Sequence, residues 1–121
     1  MRVRMFKPQF APLVLDGTKR QTIRPLPKRM PQAGDLESWR EWTGRPYRSP
    51  QGELVQVRII SAQTITITLE GVMVGEKVLT LAEEISLAKR DGFIGRKDFI
   101  CWFNFTHGLP FTGILIKAEN L

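Results

Sequence analysis

The stretch from Leu54 to Leu69, LVQVRIISAQTITITL, constrains the fold more than any other part of the chain. Apolar residues alternate with polar ones along Val55–Ile59 and again along Ile65–Leu69, the period expected of β-strands. The pattern predicts either two strands or one long strand that bends near Ser61–Gln63. A sheet is therefore expected to form a main part of the fold.

Shorter signals on both sides of this stretch complete the order of elements. Further strands are predicted at Val3–Phe6, Gln21–Arg24, Asp35–Trp42 and Pro110–Ala118. Helices are predicted within Lys7–Gly17, from Thr80 to Gly92 and within Arg96–Gly108. Thr80 with Glu83 three residues later makes a capping box. Many strands with few helices predict an α+β fold, a small β-barrel or curved mixed sheet flanked by a few short helices. The 121 residues fit one domain, 1–121.

Charge is unevenly distributed along the chain. Residues 1–50 contain 11 Lys and Arg against 4 Asp and Glu, a net of +7, whereas residues 51–121 contain 7 against 8, a net of −1. A basic half favours an anionic partner, of which nucleic acid is the commonest. The alternative is a surface that is basic without any specific partner.

Cysteine and histidine usage limits the chemistry that we expect. Cys101 is the only cysteine, so no internal disulfide is possible and a reducing compartment is expected. His107 is the only histidine, so neither a zinc site nor a Cys-His dyad has enough ligands in the sequence. No signal-peptide pattern or apolar run of ~20 residues is found. We therefore expect a cytoplasmic protein with no metal, no other cofactor and no membrane segment.

The segment Gly17–Arg24, GTKRQTIR, gathers polar groups at a strand. In a strand, Thr22 and Arg24 share one face and Ile23 takes the other, while Lys19 lies in the turn that leads in. An ammonium, a hydroxyl and a guanidinium together suit a phosphate, a carbonyl oxygen or a developing oxyanion. Burial beside a guanidinium would lower the lysine pKa and suit it to proton transfer. The alternative is that these side chains only cover an exposed edge strand.

Asp91 lies at the predicted end of a helix, directly after Lys89 and Arg90. A carboxylate is poorly placed there because the carboxyl end of a helix is already negative. Asp91 is therefore expected either to have a cationic partner or to be a solvated helix end.

The segment from residue 39 to residue 48, WREWTGRPYR, mixes aromatic and basic side chains. We call it the basic aromatic segment. Stacking on bases is expected of Trp39, Trp42 and Tyr47, and contact with phosphates of Arg40, Arg45 and Arg48. This mixture is typical of proteins that bind single-stranded nucleic acid. The alternative is that one tryptophan, Trp39 or Trp42, lies in the core.

Two motifs resemble those of a known family. GTKRQTIR is similar to the G-x-K-x-x-[ET]-x-R signature of ASCH domains, small members of the PUA-like superfamily, and AKRDGF resembles their A-x-x-[ED]-G-F helix end. The order of elements also resembles theirs over nearly the whole chain. The stretches WTGRPYRS and HGLPFTG are similar to those of a phage and bacterial branch.

The resemblance implies a PUA-like barrel with a cleft lined by both motifs. ASCH domains were proposed to bind RNA, and one branch resembles enzymes that deacetylate N-acetylcytidine through a lysine, a threonine and a glutamate. By motif these positions fall on Lys19, Thr22 and Asp91, where aspartate replaces the glutamate and is one methylene shorter. Arg24 would stabilise an oxyanion or hold a ligand phosphate.

Two hypotheses of different classes follow. In the first, the cleft and the basic aromatic segment bind RNA or a nucleobase, nucleoside or nucleotide. In the second, the chain is a metal-free amidohydrolase in which Lys19, Thr22 and Asp91 deacetylate an N-acetylcytidine-like nucleoside. A ribonuclease is a weaker third hypothesis because the chain has no pair of histidines.

Overall fold

The alternating stretch folds as one long strand, β4 (Gln51–Ile67), in the computed structural model, which describes residues 1–121. Its register against the last strand shifts between Ile59 and Ser61, so Ile60 is an extra residue in a β-bulge. A bulge bends a strand and increases its twist. Of the two alternatives that the sequence left open, the single bent strand is therefore correct.

Six further strands and three helices complete the chain. The strands are β1 (Arg2–Met5), β2 (Gln21–Pro25), β3 (Leu36–Trp42), β5 (Val72–Val74), β6 (Lys77–Val78) and β7 (Phe111–Asn120). The helices are α1 (Ala11–Leu15), α2 (Leu81–Arg90) and α3 (Arg96–His107). The short hairpin β5–β6 was not predicted, and α1 begins later than the sequence suggested. None of the helices has both the length and the apolar character needed to cross a membrane.

The strands form one curved mixed sheet. β4 pairs with β3 along its first half and with β7 along its second half, both antiparallel. β1 then joins β3 in parallel, and β2 joins β7 in antiparallel. The curved order is thus β1-β3-β4-β7-β2, and no ladder joins β1 to β2. The sheet is a half-barrel with an open seam between its two edges, and the predicted α+β class is confirmed.

The core lies on both faces of the sheet. Leu115 of β7 packs in a cluster with residues of α2 and α3, whereas its neighbours Ile114 and Ile116 pack in a second cluster with α1 and Trp39. All three residues of β7 are at most 1% exposed, as expected for a strand covered on both sides. Phe93 and Trp102 contact both clusters and so join the two halves of the core.

The two ends of α2 are fixed by local signals. The predicted capping box is confirmed: Thr80 Oγ1 accepts from the Glu83 N–H, and the Thr80 N–H donates to Glu83 Oε1. After the helix, Gly92 adopts φ +98°, and a Cβ there would lie 3.2 Å from Phe10 Cδ1. Glycine therefore allows α1 to lie close against the end of α2, where Asp91 is located.

Candidate ligand-binding site

A cavity of about 200 Å³ opens at the seam between β1 and β2. Its walls come from the end of β1, from β2, from the end of α2 and from α3. Its lining includes the side chains of Phe6, Lys7, Phe10, Lys19, Thr22, Arg24, Asp91, Trp102 and His107. The volume is below the ~300–1,000 Å³ typical of ligand pockets, so it suits a single ring system or a small polar group.

Lys19 and Asp91 form a buried ion pair at one wall of the cavity. Lys19 Nζ lies 3.1 Å from Asp91 Oδ1 and donates to the Asp91 backbone oxygen at 2.5 Å. Each residue is 3% exposed, and Lys19 Nζ also lies 4.8 Å from the centroid of the Phe10 ring. The ammonium from the turn before β2 and the carboxylate at the end of α2 thus meet at one cavity.

Asp91 has a second donor. Gln21 Nε2 donates to Asp91 Oδ1 at 3.1 Å and to the Leu87 carbonyl at 3.3 Å. Asp91 is the C-cap residue of α2, where the helix dipole disfavours a negative charge. The ammonium of Lys19 and the amide of Gln21 together offset this cost, which explains why a carboxylate is found at this helix end.

Burial changes the protonation of the ion pair. Burial lowers the pKa of Lys19, and the positive charge of Arg24 adds to this effect, whereas Asp91 opposes it. Burial likewise raises the pKa of Asp91, against the charge of Lys19 and the hydrogen bond from Gln21. Since burial disfavours both charged forms, a proton passes between the two groups at a lower cost than in water. The pair is therefore suited to proton transfer.

Thr22 and Arg24 of β2 also line the cavity. Thr22 is 3% exposed, and its Oγ1 accepts from Arg24 Nε at 2.9 Å. The same guanidinium donates from Nη2 to the Met5 carbonyl across the seam at 2.8 Å, and its Cζ lies 4.8 Å from the Phe6 ring centroid. Burial, followed by the charge of Arg4, lowers the pKa of Arg24 to about 10. Because Thr22 Oγ1 accepts from Arg24, its own proton remains available for a ligand or a base.

A second, partly buried ion pair lies near Arg24. Arg4 donates to both carboxylate oxygens of Glu37, from Nε at 2.6 Å and from Nη2 at 3.0 Å. Trp39 Nε1 donates to the same carboxylate at 3.1 Å. No sequence pattern indicates this pair, because neither residue belongs to a motif and they are 33 residues apart. The negative charge of Glu37 helps to keep Arg24 protonated inside the fold.

The charges that line the cavity favour an electron-rich ligand. Lys7, Lys19 and Arg24 are cationic, whereas Asp91 is the single carboxylate among the lining residues. Cations therefore outnumber carboxylates at the cavity. A carbonyl oxygen, an anion or a ring nitrogen with a lone pair is favoured there.

Trp39 is a core residue, so the expectation that it stacks on a base is wrong. Its side chain is 0% exposed, and its ring centroid lies 4.9 Å from that of Phe6. The alternative that one tryptophan lies in the core is thus correct for Trp39. Trp39 packs with Phe6 and Val14 in the core cluster on the face of the sheet that α1 covers, which is why this part of the segment is buried.

The rest of the basic aromatic segment lies at the surface. Arg40 is half-buried, and it donates to Ser38 Oγ at 2.8 Å and to Gln51 Oε1 at 3.0 Å. The rings of Trp42 and Tyr47 have centroids 5.1 Å apart, and Tyr47 is 87% exposed. The remaining two candidates, Arg45 and Arg48, are exposed. These side chains are free to contact a partner.

Sequence reasoning missed most of the cavity wall. Phe6, Lys7 and Phe10 come from the end of β1 and from the start of α1, and Trp102 and His107 come from α3. Burial, followed by the charge of Lys7, lowers the pKa of His107. Phe99, Trp102 and Phe103 share one face of a helix by their spacing, but nothing in the sequence indicates which element that face meets.

Comparison with known proteins shows the fold and no more. No protein-family profile and no curated protein match this chain. Among solved structures, the ASCH protein of Zymomonas mobilis is similar, with a TM-score of 0.51 and 13% identity. The match covers 97% of this chain and 65% of that protein, so the chain spans about two thirds of its length. The half-barrel with short helices thus has the α+β fold of an ASCH structure.

Proposed function

We propose that residues 1–121 form a single ASCH-like domain that binds a nucleobase or nucleoside, free or within RNA, in the cavity at the seam. One observation carries the proposal: the buried Lys19–Asp91 pair lies with Thr22 and Arg24 around a cavity the size of one ring system. The two sequence stretches noted above support placing the domain in the phage and bacterial branch. The single cysteine supports a cytoplasmic location.

The chemistry of a pyrimidine base matches this cavity. The Phe6, Phe10 and Trp102 rings supply apolar contact for a flat ring. The ammonium of Lys19 and the hydroxyl of Thr22 are donors for a base carbonyl or ring nitrogen. The Asp91 carboxylate is an acceptor for an exocyclic amine. A cytosine edge presents all these partners, as in other proteins that read an unstacked base through its hydrogen-bonding edge.

The basic aromatic segment supports the RNA form of the proposal. The Phe6 N–H donates to the Arg40 carbonyl at 2.9 Å, so the cavity rim lies beside the strand that leads into the segment. A strand with one base in the cavity has Trp42 and Tyr47 available for stacking, with Arg45 and Arg48 available for phosphates.

Binding of cytidine provides the first test. Isothermal titration is expected to detect cytidine binding, and Thr22→Val should weaken it about tenfold, because a hydrogen bond of ~1.4 kcal/mol is lost. Thr112→Val is the matched control, since Thr112 is exposed on β7 and does not line the cavity. No heat with cytidine, or equal binding by Thr22→Val, would contradict the proposal.

A second function, amide hydrolysis on an acylated nucleoside, is supported by a separate observation. The pKa of Lys19 is lowered, and Lys19 shares a cavity with a threonine whose hydroxyl proton is free. The aspartate that stands in place of glutamate still contacts Lys19 at 3.1 Å. The shorter side chain therefore does not separate the two groups.

The proposed reaction has two steps. Lys19 in its neutral form takes the proton of Thr22 Oγ1, which attacks the acetyl carbonyl while Arg24 stabilises the oxyanion. The C–N bond breaks, the amine leaves with the proton from Lys19, and Thr22 carries the acetyl ester. Water then attacks the ester, Lys19 accepts a proton from that water and returns it to Thr22 Oγ1, and acetic acid leaves and gives its proton to the solvent.

N-acetylcytidine provides the test of this second function. The wild-type protein is expected to release acetate and cytidine, and Thr22→Val should lower the rate by about 10³-fold or more, because the nucleophile is removed. The rate should rise with pH as Lys19 loses its proton, which occurs below the usual lysine range because its pKa is lowered. Unchanged N-acetylcytidine after hours, or undiminished activity in Thr22→Val, would contradict this function.

A further inference from the structure

A second concave surface lies outside the cavity, where β2, β7 and the end of α2 meet. It has a volume of about 720 Å³, and its lining includes Arg20, Ile60, Arg90 and Lys117. We call it the basic groove. A neighbouring hollow shares Arg90 and Lys117, so the groove continues along the sheet beside α2. The groove and the cavity at the seam have no lining residue in common.

The cations of the basic groove lack ionic partners within the protein. No carboxylate lies within 4.0 Å of Arg20, Arg90 or Lys117. The ion pairs of the structure all involve other cations. Arg20 Nε donates to the Gly17 carbonyl at 3.0 Å. Arg90 Nη1 donates to Ser86 Oγ at 2.6 Å. Both contacts orient a guanidinium whose other donors remain free.

The carboxylates that lie along the groove are engaged elsewhere. Glu119 lies 3.7 Å from Arg58, and Glu83 lies 2.6 Å from Lys77 while its other oxygen caps α2. Each of these two carboxylates is therefore paired with a cation other than Arg20, Arg90 and Lys117. Arg20, Arg90 and Lys117 remain as three positive charges without a counterpart on the protein.

The β-bulge supplies an apolar contact in the same groove. The ladder between β4 and β7 skips Ile60, whose side chain is 52% exposed and lines the groove. Bulges often lie beside functional sites, where they redirect a side chain. An apolar side chain among free cations matches a ligand that alternates sugars with phosphates.

We propose that the basic groove binds the sugar–phosphate backbone of single-stranded RNA. Unpaired arginine and lysine side chains are the usual contacts to phosphate. The surface is concave, which suits a flexible strand better than the flat surface of a membrane. This inference does not depend on the cavity ligand, since the two surfaces are lined by different residues.

Salt-dependent binding of RNA tests the proposal. We suggest fluorescence anisotropy with a labelled, unstructured RNA oligonucleotide between about 50 and 200 mM salt. For the triple variant Arg20→Gln/Arg90→Gln/Lys117→Gln, the slope of log K against log salt should fall by about 2, from ~0.7 per lost phosphate contact on a single strand. Affinity at the lowest salt should fall at least tenfold.

A charge-matched control separates the groove from net charge. The variant Lys28→Gln/Arg29→Gln/Lys97→Gln removes the same charge from exposed residues that lie outside both the groove and the cavity. Its slope should match that of the wild-type protein. Equal losses in both triple variants, no loss in either, or binding to anionic vesicles but not to RNA would each overturn the proposal.

Chemical protection gives a measurement that needs no variant. An excess of the same RNA should reduce acetylation of Lys117 several-fold, as read by mass spectrometry, and leave Lys97 unchanged. Cytidine should protect neither lysine, while the groove variant should still bind cytidine if the cavity proposal holds. Loss of RNA protection at Lys117 thus counts against the groove alone, and loss of cytidine binding counts against the cavity alone.

Discussion

Asp91→Ala is expected to destabilise the protein by about 3–5 kcal/mol, the usual cost of leaving one partner of a buried ion pair without the other. Lys19 is 3% exposed and would keep only the backbone carbonyl of residue 91 and the ring of Phe10 as neighbours for its charge. Urea unfolding of the two proteins measures the difference. Glu76→Ala, at an exposed turn, should change stability by no more than ~0.5 kcal/mol.

The pH dependence of this loss identifies its cause. In Asp91→Ala the folded-state pKa of Lys19 lies below the unfolded value of about 10.4, so the unfolded chain binds more protons in the window between them. Stability should therefore rise with pH up to about 10, and the deficit against wild type should shrink. A loss of packing alone would not change with pH.

A compensated variant completes the test of the ion pair. Lys19→Met/Asp91→Leu removes both charges and is expected to recover most of the lost stability, because well-packed apolar pairs often replace buried ion pairs without cost. The account of the site fails if Asp91→Ala is as stable as Glu76→Ala.

Gly113→Ala is expected to lower stability by about 3 kcal/mol or more, beyond the range of ordinary overpacking. A Cβ at this position would lie 2.2 Å from the Arg24 carbonyl oxygen and 2.7 Å from Phe111 Cζ. Gly113 pairs with Pro25 of β2 on one side and with Ile65 of β4 on the other. Neither neighbouring strand can move away without breaking its own ladder.

This substitution should also impair the site. Thr22 and Arg24 lie on β2, so displacement of that strand should weaken cytidine binding together with stability. Gly95→Ala is the control, because its Cβ would meet no atom within 4 Å and its φ of −169° suits any residue. Thermal unfolding of the two variants distinguishes them. Equal stability of both would mean that β2 and β7 do not pair as described.

Local signals account for the parts of the fold that the sequence predicted. The alternation in β4 and the capping box of α2 each depend on residues within one element. The hairpin β5–β6 was missed because strands of three and two residues are too short to show a period. Trp39 was misplaced because its burial depends on packing against Phe6 and α1, which no local pattern reveals.

The candidate site likewise has one part that local sequence signals predict and another part that depends on tertiary packing. Lys19, Thr22 and Arg24 lie within one segment whose strand period placed two of them on a common face. The helix position of Asp91 predicts only some cationic partner or a solvated helix end, and its pairing with Lys19 follows from the resemblance to the ASCH motifs. The remaining walls, such as Lys7 and Trp102, depend on how α3 packs over the seam. That packing is a tertiary property, so only the coordinates reveal it.

The side chain of Arg24 in β2 donates a hydrogen bond to the Met5 carbonyl of β1 and so connects two edge strands that do not pair with each other. A ligand that attracts the Arg24 guanidinium removes the hydrogen bond from the Met5 carbonyl. Ligand affinity and the width of the half-barrel are therefore thermodynamically linked, and a tighter seam makes the cavity more selective for small occupants.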